Sequence, residues 1–212
     1  LDHLAAYAQR GGGKWLDPTE LKKAKDALIV EFLGKKQFKS KRFQYILEGL
    51  RDLPLKCLGE ARTRKLSFAF DYTGTAIGGV YHAREVKVEF MLERPSPLQR
   101  ETVHHEMAHF MTLPRSEIQD RQVKARKRSW LNIYNKRGPF KISRDGERDI
   151  DDLFTTYMGQ IYGYEHGWEY PSESVELAAT LLSKEKYIIV KAIDFAEHDP
   201  EAFAAALEML AE

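Results

Sequence analysis

Apolar residues recur at helical spacing from residue 18 onward, where Leu21, Ala24, Leu28, Ile29 and Phe32 share one stripe. In front of them, Asp17-Pro18-Thr19-Glu20 supplies an acidic cap, a proline at the first helical position and a glutamate at the third. The spacing predicts a helix that turns this stripe inward and stops at Gly34. A second helix is predicted over about 40–51, with Phe43, Ile46, Leu47 and Leu50 on its apolar side. The period then drops to two: Leu66 to Tyr72 alternates and predicts a strand. Gly74, Gly78 and Gly79 read as a turn region, and Val80-Tyr81 with Val86 to Phe90 as a second alternating ribbon.

The ribbon leads through Pro95 into Ser96-Pro97-Leu98-Gln99, which is a hydroxyl cap, a proline at the first position and a glutamine at the third. From there Val103, Met107, Phe110 and Met111 fall on one apolar flank, and Pro114 closes the segment. Residues 114–148 show no persuasive period, although 116–134 could hold a helix. Ile150, Leu153, Phe154, Tyr157, Met158 and Ile161 return to helical spacing and end at Gly163. After a Gly- and aromatic-rich turn from Tyr162 to Trp168, helices are expected over about 172–183, 185–197 and 200–211, the last opened by Asp199-Pro200-Glu201. The expected class is α+β: a small twisted sheet, a helix directly after it and a mainly helical C-terminal half. Residues 1–63 form a helical lead-in packed on a domain of 64–212, which carries a basic insertion at about 114–148.

Composition narrows the field. The 212 residues are 43% hydrophobic and 31% charged, which fits one folded domain and neither disorder nor a membrane protein. No run is apolar enough to span a bilayer, and no secretory leader opens the chain. Leu1 in place of methionine suggests a processed product or an excised domain. The single Cys57 rules out an internal disulfide and fits a reducing, cytoplasmic compartment. Charge is segregated: residues 111–148 hold eleven Lys/Arg against four acids, and 149–212 hold three against fourteen. Two solvated faces that attract each other account for this more simply than a dedicated partner.

The chemistry concentrates in His105-Glu106-Met107-Ala108-His109. On a helix, residues four apart stack on one face, so two imidazoles can grip one ion, while Glu106 can reach a water without being a ligand. His104 points away from that pair and reads as a neighbour. A catalytic zinc needs a third protein ligand. Glu165, His166, Glu169, Glu173, Glu176 and His198 are the downstream candidates, and Glu173 and Glu176 stand on the predicted helix Ser172 to Thr180.

These residues resemble the gluzincin metallopeptidases, in which an H-E-x-x-H helix is paired with a later helix whose Glu is the third zinc ligand. In that group a small residue often follows this Glu by three positions, and a polar one by four. Ala179 and Thr180 so follow Glu176, whereas Glu176 and Leu177 follow Glu173. The resemblance therefore prefers Glu176 over Glu173. The Tyr170-Pro171-Ser172-Glu173 run is in turn similar to phage- and toxin-associated zincins and keeps Glu173 as the alternative. The 66 residues between His109 and Glu176 also suit such insertion-bearing members, and the likeness covers 64–112 and 168–183, about a third of the chain. A metzincin is excluded, because Arg115 stands where its third histidine would be.

What the resemblance implies is a zincin-like fold and a Zn²⁺-dependent endopeptidase acting on a protein or peptide substrate. His105, His109 and Glu176 would be its ligands and Glu106 its general base. Tyr170, just before the ligand helix, is the first choice of oxyanion stabiliser, ahead of Tyr164 and His82. Substrate backbone would add to the edge of the 78–90 ribbon. Two other readings stand beside this one. The first is a non-proteolytic zincin-fold structural or interaction protein, for instance phage-associated. The second is a nucleic-acid binder using the basic 111–148 stretch.

Overall fold

A computed structural model describes residues 17–73, 78–91, 94–112, 162–163, 169–170, 176–182, 196 and 200–211. The chain divides into two compact units, residues 1–113 with 210–212 and residues 114–209. The architecture is mixed α+β, with a small sheet and mostly helical content. Among the described residues no helix is long and apolar enough to cross a membrane.

The first unit begins with α1 (Pro18–Leu33), whose Asp17 cap accepts from the Thr19 amide at 2.7 Å. That bond holds the Asp17 carboxyl below its usual range. The fully buried line on α1 is Lys25, Ile29 and Leu33, with the predicted stripe partly buried on its flanks. Lys25 belongs there because its Nζ donates to the Arg51 carbonyl at 2.8 Å, at the C-terminal end of the neighbouring helix. The short α2 (Lys35–Phe38) and a 3-10 turn (Lys41–Phe43) lead into α3 (Gln44–Asp52). A further helix, α4 (Leu55–Thr63), was not expected from the sequence. It follows Pro54, carries Gly59 within it, and buries Cys57, Leu58 and Ala61. It ends with Lys65 in the left-handed region at φ 56° and the Leu66 amide bonded to the Ala61 carbonyl at 2.8 Å.

Strands β1 (Ser67–Asp71), β2 (Gly78–His82) and β3 (Lys87–Met91) form a sheet of order β1-β3-β2. β3 is central, parallel to β1 and antiparallel to β2. Gly78 and Gly79, expected in a turn, instead open β2. The real β2–β3 turn is Ala83 to Val86, where Val86 takes φ 48° and its carbonyl accepts from the Ser67 amide at 3.0 Å. Phe68, Phe70, Val88, Phe90, Gly79 and Tyr81 share one face by register. Rings couple that face to the helices: Phe68 to Phe32 at 5.8 Å, Phe70 to Phe43 at 4.8 Å, and Tyr81 to Phe110 at 5.9 Å. The helix after the strands is α5 (Leu98–Thr112), close to the predicted bounds.

In the second unit, β4 (Tyr162–Gly163) pairs antiparallel with β5 (Glu169–Tyr170), and the rest of the expected turn from Tyr162 to Trp168 lies outside the described residues. α6 (Glu176–Leu181) falls inside the predicted 172–183, and α7 (Pro200–Ala211), whose last two residues are counted with the first unit, matches 200–211. The helices expected at 116–134, about 150–161 and 185–197 lie outside the described residues or nearly so, as does Pro114.

Candidate metal centre

The capping pattern read at Ser96 is realised at the start of α5. Ser96 Oγ accepts from the Leu98 amide at 3.4 Å, and Gln99 Oε1 accepts from the Ser96 amide at 3.3 Å. Val103, Met107, Ala108, Phe110 and Met111 are buried, each large apolar side chain contributing about 1.5–3 kcal/mol on leaving water. At the far end, Arg64 Nη1 donates to the Phe110 carbonyl at 3.0 Å, and its guanidinium lies 4.2 Å from the Phe110 ring centre. A cation there also complements the helix dipole.

On this helix, three consecutive residues go to three different surroundings. His105 is half-buried beside His109, with Nε2 to Nε2 at 3.0 Å and the rings nearly perpendicular at 84°. Two nitrogens bound to one tetrahedral zinc at about 2.0–2.1 Å lie about 3.3 Å apart, so the separation of this pair, which here share a hydrogen bond, is close to that of two ligands of one ion. His104 is buried, with Nε2 3.2 Å from Asp52 Oδ2. Asp52, at the end of α3, accepts from Arg100 Nε at 2.6 Å as well, so its buried carboxylate meets two donors from α5. Helix α3 comes this close because Gly49 faces Val103. A Cβ on Gly49 would sit 2.7 Å from Val103 Cβ and 3.0 Å from the Arg100 carbonyl oxygen.

Glu106 is buried under β2. A Cβ on Gly79 would meet Glu106 Cγ at 2.9 Å and Thr102 Cγ2 at 2.7 Å, whereas one on Gly78 would meet nothing within 4 Å. The strand therefore lies directly on the helix at Thr102 and the Glu106 stem, and Gly79 is the residue that permits it. β2 is also an edge strand among the described residues, so of the 78–90 ribbon it is β2 that offers an edge. His82 on β2 has Nε2 3.3 Å from Glu89 Oε2. Lys87 Nζ bridges Glu85 at 2.8 Å and Glu89 at 3.5 Å. The Glu85 bond pulls the Glu85 carboxyl below, and the Lys87 ammonium above, their usual ranges.

His105, Glu106 and His109 belong to the first unit, Glu176 and Tyr170 to the second. Glu176 is the first residue of α6, and Ala179 and Thr180, its third and fourth followers, are buried. Tyr170 is the partner of Tyr162 in the β4–β5 pair. Glu173, Tyr164, Glu165, His166 and His198 lie outside the described residues, and so does most of the basic 111–148 stretch. Among the described residues no group of three or more His, Cys, Asp or Glu side chains stands in position to hold a metal.

Sequence reasoning missed Gly79, Gly49 and Asp52. A glycine inside a strand is a known sign of close backbone approach, so Gly79 had a signal, hidden by the Gly-Gly turn reading. Asp52 had none, since its partners lie 48 and 52 residues away. No family model, no curated protein and no solved structure matches this chain.

Proposed function

We propose that the protein is a zincin-like, zinc-dependent endopeptidase of gluzincin type. The observation that carries this reading is the His105–His109 pair, two Nε2 atoms 3.0 Å apart on a capped helix, with Glu106 between them in sequence and held under an edge strand. His105 and His109 hold the ion, with Glu176 as the preferred third ligand and Glu173 as its alternative. When bound, zinc supplies Lewis acidity, lowering the pKa of a water and polarising the scissile carbonyl. Glu106 takes the proton of the attacking water and delivers it to the leaving amine. Tyr170 is assigned the stabilisation of developing negative charge on the carbonyl oxygen. The edge of β2, unpaired among the described residues, supports an extended substrate backbone by main-chain hydrogen bonds.

The test combines metal analysis with cleavage of a broad peptide library by the purified chain, with and without chelator. Wild type should carry one zinc and cleave, and Glu106→Gln should keep the zinc and lose turnover at least 10²-fold, since it removes a base and no ligand. Glu176→Ala should lower zinc content more than Glu173→Ala. Cleavage that persists in Glu106→Gln overturns the mechanism. Stoichiometric zinc with no cleavage by wild type moves the protein to a non-proteolytic binding role.

A further inference from the structure

The helical lead-in carries a charged surface that the proposed chemistry does not use. Residues 35–42 hold Lys35, Lys36, Lys39, Lys41 and Arg42, and no Asp or Glu occurs between Glu31 and Glu48. All five cations are exposed. Elsewhere in the same unit Arg51, Arg62, Arg64, Lys87 and Arg100 each lie against a carboxylate, while Lys22, Lys23, Lys56, Lys65 and Arg84 do not among the described residues, so what sets residues 35–42 apart is five exposed cations within eight positions. Lys35, Lys36, Lys39 and Lys41 have no such neighbour among the described residues, so their charge is available to something outside the fold. Beside them Tyr72 is 47% exposed, and the Arg42 guanidinium lies 4.3 Å from its ring centre.

We propose that this turn, with Tyr72, binds the phosphate backbone of single-stranded nucleic acid. Lysines act as point charges toward phosphates, and a partly exposed tyrosine with a stacked guanidinium is a platform on which a base can lie. An anionic bilayer fits less well. The turn offers no exposed aliphatic side chain to enter it, and its one aromatic, Phe38, is half-buried with the Arg51 guanidinium 5.3 Å from its ring centre. None of these residues is among those assigned to the proposed metal site.

The experiment is fluorescence anisotropy of a labelled oligothymidylate with the 212-residue chain. Four phosphate contacts, one per lysine, on a single strand give a slope of log K against log salt of about −2.8, or roughly 50-fold weaker binding at 200 mM than at 50 mM salt. Replacing Lys35, Lys36, Lys39 and Lys41 together by Gln should weaken binding at low salt at least tenfold and flatten the slope, with the melting temperature unchanged. The matching four-fold Lys→Arg variant should bind like wild type. Tyr72→Ala should cost at least about fivefold for single strands. Unchanged binding by the four-glutamine variant overturns the proposal and moves the contact to the 111–148 stretch. It is equally overturned if oligothymidylate fails to bind at low salt, whether or not the same lysines retain the chain on phosphatidylserine vesicles.

Discussion

Helix α5 is held from two sides by different means. On the α3 side a buried carboxylate, Asp52, gathers Arg100 and His104, and Gly49 lets the two helices touch. On the β2 side, the position that meets the helix at Glu106 has no side chain at all, because Gly79 leaves room for the glutamate stem. Both sides approach closely at a glycine, and the α3 side adds a buried carboxylate with two partners on α5. Charge tolerates small displacements, whereas a strand seated where a Cβ would overlap the helix leaves no room for a side chain. The helix is thus anchored on the side of the residue that does no proposed chemistry, and fitted closely on the side of the residue that does.

Breaking the charged side should have the larger effect on stability. Asp52→Ala leaves Arg100 and His104 without their acceptor in a buried place and should cost about 3–5 kcal/mol, read as a large fall in urea midpoint. Asp52→Asn keeps the shape and one acceptor oxygen and should cost less. If Asp52→Ala unfolds no more easily than wild type, the buried pairing contributes little and the α3 side is held by apolar packing alone.

The contact side is sharpened by two neighbouring glycines. Gly79→Ala forces a Cβ against Glu106 Cγ and Thr102 Cγ2 and should cost about 1–3 kcal/mol, while displacing the proposed base. Gly78→Ala meets open space and should be neutral or stabilising by up to about 1 kcal/mol, as alanine is easier to order in a strand. Shortening the partner should relieve the clash, so the loss from Gly79→Ala should shrink in a Glu106→Ala background. Equal losses at 78 and 79, or no coupling to residue 106, would mean that β2 does not rest on the helix at this point.

What was legible in the sequence follows the same division. The caps at Asp17 and Ser96, the apolar flank of α5 and the alternation of β1 and β3 are local patterns, and each lies close to where the residues put it. The strand order β1-β3-β2 and the Asp52 cluster join residues dozens of positions apart, and no local period encodes them. Helix α4 escaped because nine residues with a glycine and a single cysteine make too short a stripe to stand out. In the proposed site, His105, Glu106 and His109 were legible because their geometry is intrahelical. The choice between Glu176 and Glu173 depends on tertiary placement, and spacing alone left both open.

The smallest effect separates the two helix starts. Ser96→Ala removes a hydroxyl cap from α5 and should cost about 1 kcal/mol. The loss should be confined to the first turn, since His105 lies two turns in. Zinc content should then be unchanged even though the helix frays at Leu98. Asp17 caps α1 through a carboxylate whose pKa is lowered by the Thr19 amide bond. Its contribution is therefore complete above the ordinary aspartate pKa and fades as pH falls through the lowered value in the folded chain. Ser96 does not titrate in that range. Amide exchange in the first turns, followed from neutral to acid pH, should accordingly show α1 loosening through its cap, with that dependence abolished in Asp17→Asn. A pH dependence that survives Asp17→Asn would show that the Asp17 cap is not what loosens α1 in acid.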